Sequence, residues 1–162
     1  MRLLKLAKGG LNKIRAHHKE LKQVDLDDSI KSLPPGEWCL LTHPELNCPS
    51  LCFVNSMIDA KYASIQVLAS LNVNEIHEFR VEDFVRRAVI NAFNKRQLFS
   101  GYNLGARIFY GATDGLPGLI IDQFLNKAVV QINTAGVDKY RDLIRETVES
   151  LISGKSYFLD NA

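Results

Sequence analysis

Cys39, His43, Cys48 and Cys52 fall in a C-x3-H-x4-C-x3-C pattern, and four soft or borderline ligands in so short a span are enough to close a tetrahedral zinc site. The spacing is not that of a standard knuckle, and if Cys39 and Cys52 lie on strands they are more simply small buried hydrophobes. Asp114 and Asp122 suggest a second chemistry, paired carboxylates for general acid–base work. Asp114 precedes Gly115, the commonest setting for a turn aspartate, and Asp122 closes an apolar run, so turn architecture accounts for both. The third cluster is electrostatic. In the first 22 residues Arg2, Lys5, Lys8, Lys13, Arg15, Lys19 and Lys22 face only Glu20, seven bases and one acid leaving +6. Asp25, Asp27, Asp28, Glu37 and Glu45 follow with Lys31 alone, five acids and one base leaving −4. Such a basic face suits nucleic-acid phosphates, with Lys5, Lys8, Lys13 and Arg15 as the contacts, and charge alone suits an ordinary solvated surface equally well.

The elements that must carry these residues are read from periodicity and turn chemistry. Ser32-Leu-Pro-Pro-Gly36, His43-Pro44 and Asn47-Cys-Pro-Ser50 break the first seventy residues into short apolar runs. Trp38–Thr42, Leu51–Val54 and Ala63–Leu68 have strand length and composition, which predicts a small β-rich unit. Val81, Phe84, Val85, Ala88, Val89, Ala92 and Phe93 then follow helical spacing to an end near Leu98, before Ser100-Gly101. Its polar side, with Arg86, Arg87, Asn91, Asn94 and Lys95, reads as a wet face or a contact surface. Pro117 pre-sets φ for the first central position of a type II turn and Gly118 takes the positive φ of the second. The turn feeds a strand from Leu119, and Ala128–Asn133 is its hairpin partner after Asn126-Lys127. Val137, Tyr140, Ile144, Val148 and Leu151 predict a second helix stopped at Gly154, and Tyr157–Leu159 a last strand. Tyr102, Phe109 and Tyr110 could stack on unpaired bases, core packing being the simpler fate of Phe109.

Length and composition are consistent with two small domains meeting near Asn72–Asn74, residues 1–70 and 71–162, in an α+β class with an antiparallel sheet and two helices on one face. Apolar content of 46% and a net charge of +2 do not indicate disorder. No apolar run is long enough to span a membrane, and the expected compartment is the cytoplasm, with an organelle transit segment as the alternative for the basic start. Three cysteines fit poorly with a secreted disulfide framework.

From Arg107-Ile108-Phe109-Tyr110-Gly111 through Asp114-Gly-Leu-Pro-Gly-Leu-Ile-Ile-Asp122 to Val129-Val130-Gln131, the chain resembles the central region of S-adenosylmethionine-dependent ribosomal RNA methyltransferases that make 5-methylcytosine in the large-subunit RNA. Leu4-Lys5-Leu6-Ala7-Lys8-Gly9 and Arg15-Ala16-His17 resemble the start of the same family's PUA domain. The chain departs from the family where His18 and Lys19 replace the usual Pro and Trp, and where Ala112 replaces an acid two residues before Asp114. The resemblance implies a PUA-like β-barrel over the first domain, then a small central α/β domain, with the Rossmann-like catalytic domain of the family unmatched. It also turns the basic start towards RNA and adds His17 to Lys5, Lys8, Lys13 and Arg15 as an RNA-binding candidate. Asp114, Gly115, Pro117 and Gly118 remain structural turn residues.

Absences separate recognition from chemistry. The sequence has no G-x-G-x-x-G loop to approach a cofactor and no Asn-Pro-Pro or Asp-Pro-Pro segment to hold a target base. The family's catalytic cysteines lie in its C-terminal domain, so Cys39, Cys48 and Cys52 inherit no such role. The expectation is an RNA-recognition and linker portion of a methyltransferase, inactive by itself, with S-adenosylmethionine belonging to a full-length relative and no cofactor or metal bound here. Its expected partners are ribosomal RNA and the missing catalytic domain. A stand-alone RNA-binding or protein-interaction module is the alternative, and the sequence leaves a homodimer open.

Overall fold

The computed structural model describes residues 1–55, 64–97 and 105–159, which divide into two compact units, Met1–Phe79 and Arg80–Ala162. Ala63, Leu98, Ser100-Gly101 and Tyr102, which figure in the predicted elements and stacking residues, lie outside the described residues.

The first unit is built on β1 (Arg2–Lys5), α1 (Lys8–Arg15), β2 (Glu20–Lys22), β3 (Trp38–Thr42), β4 (Ser50–Asn55) and β5 (Ser64–Ser70). Trp38 through Leu41 and Leu51 through Val54 are buried without alternation, as strands covered on both faces must be. They form the centre of a five-stranded sheet ordered β1-β3-β4-β5-β2, in which β1 runs parallel to β3 and the other neighbours are antiparallel. On one face Leu4, Leu21, Leu41, Val54 and Ile65 join a single core with Leu26 and Ile30. On the other, the Trp38 and Phe53 rings tilt against each other at 5.5 Å. The expected barrel is not closed by a continuous ladder among the described residues. Its edges are instead joined by one isolated bridge, Leu6 with Leu26, flanked by Ala7 N–H to Asp25 O and Asp27 N–H to Lys5 O, each 3.0 Å. The acidic Asp25–Asp28 turn is therefore held against the basic start of the chain.

The second unit contains α2 (Val81–Gln97), β6 (Ala106–Tyr110), β7 (Leu119–Phe124), β8 (Lys127–Ile132), α3 (Ala135–Asp138), α4 (Arg141–Ile152) and β9 (Lys155–Leu159). The apolar stripe of α2 is buried at Val81, Val85, Val89, Ala92 and Phe93, and Glu82 and Asp83 at its start and Lys95 and Arg96 at its end match the helix dipole. The sheet runs β6-β7-β8-β9. It is mixed rather than antiparallel: β9 joins β8 in parallel because α3 and α4 carry the chain back to the same end. The predicted helix from Val137 is likewise two pieces, broken at Lys139-Tyr140, so that three α-helices and not two are described in this unit. Ser153, not Gly154, takes the left-handed position after α4, with φ +49°.

The turn before β7 forms as its chemistry dictates. Leu119 N–H donates to Leu116 O at 3.2 Å, and Gly118 has φ +87°, the positive value required at the second central position of a type II turn. The strands of the hairpin are then joined through Leu125-Asn126, with Phe124 opposite Lys127.

Candidate nucleic-acid interface

Helix α1 places the basic residues. Gly10 and Leu11 are buried on its inner side and Ile14 packs against the core, which turns Lys8 outward. A Cβ at Gly10 would overlap the Asp25 carbonyl, so the helix can lie this close to the acidic turn only with glycine there. Asp25 is buried and accepts from Lys13 Nζ at 2.8 Å and from the Lys22 N–H at 2.9 Å. Burial disfavours its charge, but the Lys13 and Lys22 hydrogen bonds and the Lys13 and His18 charges outweigh that, holding its carboxyl below the ordinary aspartate value.

The five candidate RNA residues are therefore not equivalent. Lys13 is committed to Asp25 and Arg15 reaches Glu45 at 3.0 Å. Lys5 and Lys8 are exposed, and among the described residues no ion pair involves them. Lys5 also borders a groove of about 580 Å³ lined by Leu6, Asp27, Thr42, His43 and Pro44. His17 is exposed at φ +59°, where its N–H donates to Ile14 O while His18 N–H donates to Lys13 O, both at 3.0 Å. That pair of bonds is a Schellman cap, so the local role of His17 is to end α1.

The cysteine cluster is dispersed. Cys39 and Cys52 are buried opposite each other on β3 and β4, and Cys52 Sγ donates to Cys39 O at 3.3 Å. Burial raises the Cys52 thiol well above its usual value, the opposite of an activated thiolate. His43 Nδ1 accepts the Glu45 N–H at 3.1 Å, Cys48 is half-buried, and among the described residues no three His, Cys, Asp or Glu side chains gather as metal ligands. Asp114 and Asp122 are also separated in role. Asp114 binds Arg96 and the Tyr110 N–H, while Asp122 pairs with Arg107 across the β6–β7 ladder at 2.8 and 3.0 Å. Arg96 and Asp25 were not singled out from sequence, because their partners lie across turns that local patterns do not connect.

The parallel β8–α3–α4–β9 crossover enters its helix through Asn133-Thr134, and Gly136 is buried in the first turn of α3. The Thr134 hydroxyl is already donated to Pro117 O at 2.9 Å. Among the described residues no helix is long and apolar enough to cross a membrane.

A small curled β unit bearing cations, followed by a four-stranded mixed sheet under helices, matches one part of longer solved chains. The fold matches a chain from Streptococcus mutans assigned as a SAM-dependent methyltransferase with a TM-score of 0.72 and 13% identity, over 98% of this chain and 40% of that one. A chain assigned as a methyltransferase and solved in complex with SAH gives a TM-score of 0.73 over the same shares, also at 13% identity. In sequence, 70 residues are 36% identical to a protein of Methanocaldococcus jannaschii assigned as a ribosomal RNA large subunit methyltransferase, covering 43% of this chain and 18% of that protein. Another 44% identity extends over 57 residues of the ribosomal RNA large subunit methyltransferase I of Aeromonas hydrophila, 35% of this chain and 13% of that protein. No protein-family model matches. The chain is thus homologous over part of its length to ribosomal RNA large subunit methyltransferases and spans only a minor share of them.

Proposed function

We propose that these residues are the RNA-recognition and linking portion of a ribosomal RNA methyltransferase of the 5-methylcytosine type, residues 1–70 being a PUA-like domain and 71–162 a central α/β domain. The observation that carries this reading is a fold covering 98% of this chain but 40% of a methyltransferase chain, joined to partial homology with large-subunit RNA methyltransferases. Substrate choice belongs to this portion. Methyl transfer, and S-adenosylmethionine with it, belongs to the part of the relatives that the chain does not span. The curled sheet with edges bridged at Leu6 and Leu26 supports the PUA-like assignment. Lys5 and Lys8 supply phosphate contacts, with Lys13, Arg15 and His17 shaping the same surface. The working compartment is the cytoplasm, and the partners are ribosomal RNA and a catalytic methyltransferase domain.

A stand-alone RNA-binding or protein-interaction module of the same ancestry is the second reading, favoured by His18, Lys19 and Ala112 where the family differs. Ultraviolet cross-linking of the full chain to large-subunit ribosomal RNA, mapped by mass spectrometry, tests the first. Adducts are expected in peptides from Arg2 to Lys22. Capture of protein partners without any RNA adduct would overturn it in favour of the interaction module.

A further inference from the structure

The sheet of the second unit has two unlike faces. Leu119, Ile121, Ala128 and Val130 are buried on the side packed by α2 and α4. The alternate residues form the outer face, and the ladder register aligns them in rows. Tyr110 pairs with Ile120, Ile120 with Gln131, and Gln131 with Leu159. One row away, Arg107, Asp122, Val129 and Tyr157 are matched in the same way. The two tyrosines are each 53% exposed although they stand on a sheet floored by half-buried Ile120 and Val129.

The charge on this face has one sign to spare. Arg107 is neutralised by Asp122 and leans over the Tyr110 ring at 5.5 Å. Lys127 and Lys155 face each other at the end of the next row, beside Phe124. Three cations against one acid leave the face at +2. Exposed flat rings on a face with surplus cations at one end match a ligand that combines planar groups with negative charges. Single-stranded RNA has that chemistry, whereas a duplex hides its base planes.

We infer that this outer face stacks unpaired RNA bases on Tyr110 and Tyr157, with Lys127 and Lys155 on the phosphates beside the base at Tyr157. The inference rests on the reading of the chain as an RNA-recognition portion and assigns a second contact surface to it. Tyr110 on β6 and Tyr157 on β9 are three strand spacings apart, about 14 Å across the strands, and one row apart along them, so they take separate bases and the strand crosses the sheet between them. Phe109, read from sequence beside Tyr110, is fully buried and takes no part.

The test is fluorescence anisotropy of the full chain with a labelled single-stranded RNA of about 10 nucleotides, a length within the range of one small single-strand-binding domain, and with the same sequence as a duplex. Tyr110→Ala with Tyr157→Ala should lose at least about tenfold in affinity for the single strand, the scale of two lost stacking contacts, and little for the duplex. Tyr110→Phe with Tyr157→Phe should retain the wild-type affinity, because the ring remains. Lys127→Gln with Lys155→Gln should lower the salt dependence without abolishing the preference for single strands. Wild-type binding left unchanged by the alanine pair would overturn this inference alone and leave the basic N-terminal surface as the RNA site. Equal losses in the alanine and phenylalanine pairs would also overturn it, since stacking would not be the cause. Absence of RNA binding by the wild-type chain would overturn both this inference and the reading on which it rests.

Discussion

The guanidinium of Arg96, in the last turn of α2, grips both carboxylate oxygens of Asp114, Nη1 to Oδ1 at 3.0 Å and Nη2 to Oδ2 at 2.6 Å. Asp114 Oδ2 also accepts the Tyr110 N–H at 2.7 Å, so one carboxylate ties the helix to the end of β6 and the start of the turn. With only 4% of its side chain exposed, the carboxylate depends on these partners, because an unpaired buried charge is costly. Arg96→Ala is expected to destabilise the protein by about 2–4 kcal/mol. Arg96→Lys should recover only part, since an ammonium cannot make the two-point contact. Chemical denaturation of both variants checks this; a midpoint for Arg96→Ala equal to wild type would show that the pair is not structural.

Gly118→Val should damage folding through two separate effects. The valine would have to adopt φ +87°, and its Cβ would stand 2.6 Å from Thr134 Cγ2 and 2.8 Å from Thr134 Oγ1. Thr134 is held there by its bond to Pro117 O, so it cannot yield without losing that bond. The expected cost is about 2–4 kcal/mol, backbone strain and crowding together. Thermal unfolding measures it, and an unchanged melting temperature would mean that the turn tolerates a side chain.

Asp25 gives the first unit an acid-sensitive contribution. Its folded carboxyl lies below the ordinary 3.8, so the native state favours its ionised form relative to the unfolded chain. The stabilisation is present above that ordinary value and is lost as pH falls through the lower folded one. Asp25→Asn should lower stability at neutral pH, where it also strands Lys13 without its carboxylate, and should flatten the fall in stability below about pH 4. Urea midpoints measured between neutral pH and pH 3 decide it; parallel curves for the two proteins would remove Asp25 from the account.

His17 offers a way to separate a cap from a ligand. At φ +59° histidine is tolerated and glycine is preferred, so His17→Gly should be neutral or stabilising by up to about 1 kcal/mol. If His17 acts only through the end of α1, RNA affinity should also stay within twofold of wild type, about 0.4 kcal/mol. A large affinity loss in a fully stable variant would make the imidazole itself a contact.

What could be read from the sequence was what neighbouring residues decide among themselves. Pro117-Gly118 specifies its turn within four residues, and the seven apolar positions from Val81 to Phe93 leave α2 little alternative. Helix α1 was not legible because Gly9 and Gly10 depress its propensity over so short a span; its stability comes from the core under Leu11 and the contact with Asp25. The parallel pairing of β9 with β8 was equally hidden, since it depends on where α3 and α4 return the chain. At the candidate site, the basic excess was visible as composition. Which cations are spent internally was not, because Lys13 and Asp25 meet across 12 residues and Arg15 and Glu45 across 30.

The most direct measurement of the central claim is the affinity of the full chain for a structured fragment of large-subunit ribosomal RNA across a series of salt concentrations, for wild type and for Lys5→Gln with Lys8→Gln. Recognition through the basic face predicts saturable binding whose log affinity falls linearly with log salt, and a slope reduced by about 1.4–1.8 in the double variant, two phosphate contacts' worth. Lys13→Gln should change the slope less, since Asp25 already neutralises that lysine. Binding with an identical slope in the double variant would contradict the placement of the interface at Lys5 and Lys8, and no binding by the wild-type chain would contradict the account itself.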